Sequence, residues 1–315
     1  MKPIVGKACA RLVLLFQYLY PMKPFLAIIS LLLFNFCKLN HQKTEVKDTS
    51  GLIKFKNASI YYEKKGSGDP ILLVHGGFLE HTMWDPQIAD LSKEHTVITI
   101  DLPGHGQSKG DTTVLIKDII LTVLDSLGIN KTSIGGLSLG ASCVQDFIIA
   151  YPERVNKAIL VASGINGYDK KFKIDSLSRS WYNTMWDALE GKDTIKAAAS
   201  FTKSWCIGFF RDSSDMKQSA RDYVYNTTLK NMREQKVTGW PRFTQPPAME
   251  NIDKINVPVL IIDGSKDLPV IKNACDYLEK NIKGAKRITI PNTAHMPNLE
   301  EPELFNKYVL EFLRQ

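Results

Sequence analysis

Short apolar runs alternate with amphipathic segments along most of the chain, from Leu52 to the C-terminus. The apolar runs are ILLVH (71–75), HTVITID (95–101), KTSIGGL (131–137), NKAILVA (156–162), VPVLIIDG (257–264) and KRITI (286–290). The amphipathic segments lie at 84–94, 113–127, 139–151, 271–282 and 301–314. Uninterrupted apolar runs of this length are typical of strands that are buried on both faces. The alternation therefore predicts an α/β fold, with a mainly parallel central sheet and helices on both faces.

Two stretches depart from this alternation. At the start, LIKFK and SIYYEKK are separated by a short turn and predict an antiparallel hairpin. Between about residues 164 and 247, helical patterns continue without a clear strand. Four of the five tryptophans lie in this stretch, namely Trp181, Trp186, Trp205 and Trp240. We expect one domain over 51–315 with a helical cap inserted at about 164–247, and some of the cap's aromatic side chains should line an apolar pocket.

A single serine lies between two glycines in the stretch GGLSLGA, where an apolar run meets an amphipathic segment. The pentapeptide GLSLG, centred on Ser138, fits the pattern of a nucleophile elbow, which is a sharp turn from strand to helix. Side chains two residues to either side of the serine would collide, so glycine is needed at both positions. The strained turn projects the hydroxyl above the sheet, and strain of this kind usually persists for a function. Ser138 is therefore the predicted nucleophile.

A serine hydroxyl needs an adjacent base to become a good nucleophile. The chain has six histidines, which are His41, His75, His81, His95, His105 and His295. In the chain order Ser…Asp…His, which accompanies this type of elbow, the base comes last, and His295 alone is late enough. His81 and His95 lie in polar segments beside helices and are predicted to be surface residues. His105, in the tight turn LPGHGQS, is predicted to be structural.

The acid that orients the histidine should follow a strand between Ser138 and His295. The segment IIDGSKDLPV offers Asp263 and Asp267. Asp263 lies within the apolar run, whereas Asp267 lies in the loop at the strand's carboxyl end, where sites of open α/β sheets assemble. Asp267 is the predicted acid, with Asp263 as one alternative and Asp169, early in the cap, as another.

If Ser138 attacks a carbonyl group, two backbone N–H groups must stabilise the oxyanion that forms. The N–H of Leu139, directly after the nucleophile, is one predicted donor. The other should come from the loop HGGF that follows the first central strand, from either Gly77 or Phe78. Glycine in this loop lets the backbone approach a substrate closely. His75, at the start of the loop, is predicted to fix the loop rather than to act on the substrate.

The chain resembles the α/β-hydrolase superfamily over about residues 52–313. The shared features are VHGGF, MWDPQIADLSKEHTVITIDLPGHGQS, GGLSLGA, VPVLIIDGSKD and TAHMPNLEEPELFNKYVLEFL. The resemblance implies a triad of Ser138, Asp267 and His295 and a cap between strands six and seven. The elbow and the MWDPQ segment are similar to the branch that contains lactonases, small-ester hydrolases and carbon–carbon bond hydrolases. A serine at the elbow argues against haloalkane dehalogenases and epoxide hydrolases, whose nucleophile is aspartate.

These features predict a serine hydrolase that cleaves a carboxylic ester or related acyl bond of a small-molecule substrate. Alternatives on the same triad are a lactonase, a small-peptide amidase and a carbon–carbon bond hydrolase. A ligand-binding receptor with little turnover and an inert structural domain are alternatives of another class. The mechanism requires no cofactor, and the five cysteines show no metal-ligand spacing. Six of the seven net positive charges lie within residues 1–43, so we expect no nucleic-acid partner for the body.

Residues 1–43 are predicted to be a signal peptide or membrane anchor, followed by a polar tether to about residue 50. The uncharged apolar run at 25–36 suits a signal-peptide h-region and is shorter than the roughly 20 residues of a membrane-spanning helix. Cys37 directly follows this run, at the position of a lipidated cysteine, although a bulky residue precedes it. The tripeptide MKP occurs twice, which makes Met22 a second candidate start. We expect export or membrane association in the cell envelope, with a cytoplasmic location as the alternative.

Overall fold

Nine strands form one sheet in the computed structural model, which describes residues 48–110, 114–234 and 242–315. The strands are β1 (Thr49–Phe55), β2 (Ala58–Lys65), β3 (Asp69–Val74), β4 (His95–Ile100), β5 (Lys109–Gly110), β6 (Thr132–Leu137), β7 (Val155–Val161), β8 (Val259–Gly264) and β9 (Lys286–Ile290). Their order across the sheet is β1-β2-β4-β3-β6-β7-β8-β9, and β5 pairs with β2 outside this path. From β4 to β9 all neighbours in this order are parallel, whereas β2 is antiparallel to β1 and β4. The prediction of a mainly parallel sheet is confirmed.

Ten α-helices lie in the described residues. They are α1 (Asp85–Leu91), α2 (Ile116–Ser126), α3 (Leu139–Ala150), α4 (Tyr168–Lys171), α5 (Ser176–Glu190), α6 (Thr194–Phe201), α7 (Gln218–Glu234), α8 (Pro269–Asn281), α9 (Pro297–Glu300) and α10 (Pro302–Leu313). Five of them (α1, α2, α3, α8 and α10) match the predicted amphipathic segments. Proline occupies the first turn of α1, α8, α9 and α10. Proline fits there because the first N–H groups of a helix have no intrahelical partner.

Alternate residues along each strand face opposite sides of the sheet, and the two sides meet different helices. Trp84, directly before α1, and Phe305 of α10 have ring centroids 6.4 Å apart and border one small cavity with Leu73 of β3. Leu73 pairs in register with Gly135, so the next residue, Gly136, faces the other side. A Cβ atom on Gly136 would lie 2.4 Å from the backbone at the start of α3, so α3 packs against this second side. Helices therefore cover both faces, as predicted.

The chain between β7 and β8, which are strands six and seven when the two-residue β5 is not counted, leaves the sheet and forms α4 to α7. A π-helix (Thr202–Ile207) directly follows α6. Asp175 precedes α5, and its side chain accepts the N–H of Ser178 at 2.8 Å, which satisfies one of the donors that a helix start leaves without a partner. The described part of the predicted cap range, 164–247, is thus built from helices that stand over the carboxyl ends of the strands.

The predicted leader, including Cys37 and Met22, and the tether up to residue 47 lie outside the described residues, and so does Trp240. The last two residues of the predicted tether, Thr49 and Ser50, belong to β1. Within the described ranges, no helix combines the length and the apolar character that crossing a bilayer requires.

Candidate active site

Ser138 occupies a strained backbone position between β6 and α3. Its φ of 53° and ψ of −108° are rare for a residue with a side chain. The backbone N–H of Ser138 donates to the carbonyl of Val161 at 2.9 Å, which holds the turn against β7. A Cβ atom on Gly140 would lie 2.3 Å from the carbonyl oxygen of Val74, so no larger residue fits there. The sequence thus forms a strand-to-helix turn of the type that the pattern predicted.

His295 and Asp267 form a buried hydrogen-bonded pair. The Nδ1 atom of His295 lies 2.8 Å from Oδ2 of Asp267, and the two residues are 2% and 3% exposed. Asp267 follows β8, and its Oδ1 atom accepts the N–H of Leu268 at 2.7 Å. His295 follows β9 and packs against the ring of Trp205, a cap residue, at a centroid distance of 4.5 Å. The two predicted residues therefore meet above the carboxyl ends of neighbouring strands.

The alternative acids, Asp263 and Asp169, have other surroundings. Asp263 is fully buried and accepts hydrogen bonds from Arg287 at 2.7 Å and from Lys272 at 2.8 Å. Burial alone would raise the pKa of Asp263, but the hydrogen bonds from Arg287 and Lys272 lower it below its ordinary value. Asp169 is exposed in α4, at the wall of the cavity described below. Neither carboxylate is hydrogen-bonded to His295.

The predicted oxyanion loop follows β3 and is held in place by two histidines. His75 accepts the N–H of Leu102 at Nε2, at 2.9 Å, and its Nδ1 lies 2.7 Å from the carbonyl oxygen of Gly76. Burial lowers the pKa of His75 to about 3, so the ring is neutral. The Nε2 atom of His105 accepts the N–H of Phe78 at 3.3 Å. Both histidines have the loop-fixing or structural role that the sequence predicted.

This contact distinguishes the two candidate donors of the oxyanion loop. Because the N–H of Phe78 is directed to His105, it is not available to a substrate. The N–H of Gly77 has no hydrogen-bond partner among the described residues, and Gly77 lines the same cavity as Ser138. Leu139 also lines this cavity and is the first residue of α3, where N–H groups lack an intrahelical partner.

The prediction that His81 is a surface residue is wrong. His81 is 3% exposed, and its Nδ1 atom lies 2.9 Å from Oδ1 of the fully buried Asp101. Burial alone would lower the pKa of His81, but the hydrogen bond and charge of Asp101, with the charge of Glu63, raise it. His95, also predicted to be at the surface, is half-buried. The polar sequence around His81 gives no sign of its partner, because Asp101 follows a different strand.

The cap contributes contacts to the predicted oxyanion loop and to the turn that carries His105, and the sequence did not reveal them. Asn231 of α7 donates through Nδ2 to the carbonyl oxygens of Phe78 at 3.0 Å and Leu79 at 3.2 Å. Its Oδ1 atom accepts the N–H of Gly106 at 3.2 Å. One cap side chain thus joins the oxyanion loop to the turn that carries His105. No local pattern around Asn231 could indicate this, since its partners lie far away in the sequence.

A cavity of about 540 Å³ lies over Ser138. Ser138, His295, Gly77 and Leu139 all line it, so the structure brings the predicted nucleophile, base and oxyanion donors to one space. Its side walls are mostly apolar and come from the cap and from the start of α8. They include Ile174, Met185, Phe201, Trp205, Phe243 and Val270. A cavity of this size and composition is typical of small-molecule sites. Among the described residues, no group of three or more His, Cys, Asp or Glu could hold a metal ion.

Comparison with known proteins identifies the family of the chain. The sequence model of the alpha/beta hydrolase fold family matches residues 69–302. The chain is 24% identical over 260 residues to a pimeloyl-[acyl-carrier protein] methyl ester esterase of Nitrosomonas europaea, which covers 79% of this chain and 97% of that protein. It is 24% identical over 242 residues to 3-oxoadipate enol-lactonase 1 of Acinetobacter baylyi, covering 75% and 85%. It is 26% identical over 257 residues to carboxylesterase YbfK of Bacillus subtilis, covering 77% and 79%.

Solved structures share the fold at lower identity. An esterase from a Rhodococcus species superposes with a TM-score of 0.72 at 22% identity, covering 85% of this chain and 98% of that one. A thermophilic esterase from Thermogutta terrifontis gives 0.70 at 21% identity, covering 85% and 98%.

Proposed function

Because the chain belongs to the alpha/beta hydrolase fold family, we propose that it is a serine hydrolase that cleaves a carboxylic ester through an acyl-enzyme at Ser138. One observation carries the proposal: the strained Ser138 and the Asp267-bonded His295 line the same cavity. The esterases among the relatives support an ester as the substrate. The enol-lactonase supports a lactone, an internal ester, as the second candidate.

The proposed reaction begins with proton transfer from Ser138 to His295. Asp267 accepts a hydrogen bond from Nδ1 of the imidazole, so the lone pair is at Nε2, the nitrogen that receives the proton. The Ser138 oxygen attacks the substrate carbonyl carbon, and the C=O bond opens to a tetrahedral oxyanion. The protonated imidazole then donates to the departing alcohol oxygen as the ester bond breaks. Asp267 stabilises the imidazolium between these steps.

The acyl-enzyme is released by water in a second, similar attack. His295 removes a proton from the water, whose oxygen bonds to the acyl carbon, and the Ser138 oxygen leaves and regains its proton. In both attacks the oxyanion is stabilised by the N–H groups of Leu139 and Gly77. Phe78 is the less suitable donor because its N–H already binds His105. The α3 helix begins at Leu139, so its positive end also favours the developing negative charge.

Labelling with a fluorophosphonate probe tests the nucleophile, with hydrolysis of p-nitrophenyl esters as a second measurement. We expect the wild type to be labelled and active, and Ser138→Ala to lose both properties. Ser142→Ala is the matched control, because Ser142 lines the same cavity one turn further along α3. It should keep the label and most of the turnover.

Equal labelling of wild type and Ser138→Ala would contradict the proposal. Labelling of Ser138 without turnover of any ester or lactone would instead favour a ligand-binding receptor. Absence of both labelling and turnover would favour an inert domain.

A further inference from the structure

The described residues that line the cavity over Ser138 offer no Lys or Arg side chain to a substrate. Among the described residues that line it, Asp169 is the one Asp, Glu, Lys or Arg, and its charge is negative. A carboxylate that enters an apolar cavity loses its hydration and needs a cation or several hydrogen-bond donors in exchange.

Two basic side chains in the segments that border the cavity, Lys272 and Lys171, are bound to other partners. Lys272 follows two lining residues of α8, yet its Nζ lies 2.8 Å from Oδ2 of Asp263. Lys171, in the α4 turn that contributes Asp169 to the wall, donates to the hydroxyl of Tyr277 at 3.0 Å. These cations are therefore held away from the space above Ser138.

The start of α8 borders the cavity and could in principle bind an anion through its N–H groups. Pro269 has no N–H, and the N–H groups of Ile271 and Lys272 donate to the carbonyl oxygen of Leu268 at 3.0 and 3.1 Å. The N–H of Val270 donates to Ser178 Oγ at 3.4 Å. The four residues at this helix end thus have no unpaired donor for a substrate carboxylate.

We infer, on the basis of the proposed serine-hydrolase function, that the acyl group above Ser138 is uncharged and apolar. Esters and lactones with alkyl or aryl acyl groups fit the walls, whereas acyl groups that end in a free carboxylate are rejected. The apolar walls and the lack of a cation do not involve the proposed catalytic residues. Substitutions in the walls should therefore change which acyl groups are accepted and leave the reaction steps unchanged.

Three p-nitrophenyl esters of one chain length test this inference. They are the hexanoate, the monoadipate, in which a carboxylate replaces the terminal methyl group, and methyl adipate, which has the added bulk without the charge. We expect kcat/KM for the hexanoate and for methyl adipate to exceed that for the monoadipate by at least about 100-fold. Equal values for the monoadipate and its methyl ester would overturn the inference.

A second arm adds the missing cation. Val270 is a half-buried wall residue, so Val270→Lys should raise kcat/KM for the monoadipate relative to methyl adipate by about 10-fold or more. An unchanged ratio would show that the lack of a cation is not the cause. If the wild type hydrolyses none of the three esters faster than Ser138→Ala, the proposed function itself fails, which is a different outcome.

A different set of contacts leads to a second inference, about Arg211 of the cap. Its guanidinium donates to the carbonyl oxygens of Ile207 at 2.5 Å and Asn292 at 2.5 Å, and its Nη2 lies 2.5 Å from Oε2 of Glu300. Glu300 accepts the N–H of Ala294 at 2.9 Å through its other oxygen. Both side chains of the ion pair are about 5% exposed or less.

These bonds hold the loop that carries His295. Asn292 and Ala294 are the loop residues bound by Arg211 and by Glu300, and Ala294 directly precedes His295. Burial raises the pKa of Glu300, although the charge of Arg211 and the N–H of Ala294 oppose the rise. We propose that Arg211 and Glu300 are positioning residues that act through this loop on the imidazole of the proposed triad.

Arg211→Met tests this role, with Arg154→Met as a matched control. Arg154 also binds two carbonyl oxygens and one carboxylate, of Asn130, Ile129 and Asp125, but it precedes β7 at the other end of the sheet. Both variants should lose stability. Arg211→Met alone should lower kcat, by about 10- to 100-fold, with little change in KM.

Glu300→Gln provides the readout that a purely structural role would not change. It keeps an oxygen for the N–H of Ala294 but removes the charge that binds Arg211. We expect the apparent pKa in the pH profile of kcat/KM to shift, and kcat to lie between the values for wild type and for Glu300→Ala. Equal kcat for the wild type, Arg211→Met and Glu300→Ala on an active enzyme would overturn the proposal.

Discussion

At the scale of single residues, Asp263 and Asp267 differ in role because their carboxylates contact different side chains. Asp263 lies inside β8, where Arg287 and Lys272 surround its carboxylate. Asp267 lies past the end of the strand, where its carboxylate meets the imidazole of His295. The first aspartate is therefore part of an ion-pair cluster, and the second can hold an imidazole in one tautomer.

Replacing Asp267 by asparagine should separate tautomer control from packing. The amide is of the same size, but it can donate to Nδ1 and leave the proton on Nε2, where the base must be free. We expect kcat for a p-nitrophenyl ester to fall by about 10⁴-fold, with a nearly unchanged thermal unfolding temperature. An unchanged kcat would exclude Asp267 as the orienting acid.

The corresponding change at Asp263 is the control. Asp263→Asn removes the charge that compensates Arg287 and Lys272, so it should lower the unfolding temperature. Its kcat should remain close to that of the wild type at temperatures where it is folded. A large loss of kcat in Asp263→Asn, with none in Asp267→Asn, would show that Asp263 and not Asp267 is the orienting acid.

His75 should make the stability of the fold depend on pH. Burial holds its pKa at about 3 in the folded chain, whereas the ordinary value is 6.5. Between these two values the unfolded chain binds a proton that the folded chain does not, so stability falls as the pH falls. The contribution is at most about 1.4 kcal/mol per pH unit.

The variant His75→Gln removes this titration. Its free energy of unfolding, measured by urea denaturation, should be lower than that of the wild type at neutral pH. It should also decrease less steeply between about pH 6 and pH 4. Parallel curves for the two proteins would show that His75 binds protons equally in the folded and unfolded chains, which would contradict the lowered pKa.

At the scale of elements, the cap helix α7 binds the loop that is predicted to stabilise the oxyanion. Asn231 is bonded to Phe78, Leu79 and Gly106, and a second contact joins Lys230 Nζ to Glu80 Oε2 at 2.8 Å. The Asn231 amide is buried, whereas the lysine is largely exposed. Buried hydrogen bonds of this kind fix a loop more strongly than an exposed ion pair does.

Asn231→Ala should therefore disturb catalysis more than Lys230→Met does. Loss of the amide frees the carbonyls of Phe78 and Leu79, and the neighbouring Gly77 N–H loses its fixed direction. We expect kcat to fall by about 10- to 100-fold in Asn231→Ala, with KM nearly constant. Lys230→Met should keep wild-type kcat. Equal kcat in both variants would mean that α7 does not orient the oxyanion loop.

Local sequence patterns predicted the strands and helices, but they did not predict side-chain contacts between residues that are distant in the sequence. The apolar runs gave the parallel strands, because a strand buried on both faces must be apolar along its length. The glycines around Ser138 gave the elbow, because only glycine fits there. The pairing of His81 with Asp101, the amide bonds of Asn231 and the ion pair of Arg211 with Glu300 join residues of different elements. Their sequence neighbourhoods carry no periodic signal for those partners.

At the scale of the whole molecule, the described residues from 48 onwards form the nine-stranded sheet and line the candidate site. The prediction of a membrane-directing leader in residues 1–43 stays a prediction. A variant that lacks these residues should remain soluble and hydrolyse p-nitrophenyl esters as fast as the full chain. Both proteins are expressed in bacteria, and the lysates are separated by centrifugation. We expect the full chain in the membrane pellet and the shortened chain in the supernatant. Identical fractionation of the two would contradict the leader hypothesis.

The insertion between β7 and β8 has a consequence for the newly made chain. The ribosome must translate about 100 residues after β7 before β8 exists, which takes about 5–20 s at typical rates of synthesis. Throughout that interval the apolar strand Val155–Val161 has one edge without a neighbour, and such edges promote aggregation. A chaperone that binds nascent chains should therefore engage this protein after β7 has emerged and release it once β8 has been added.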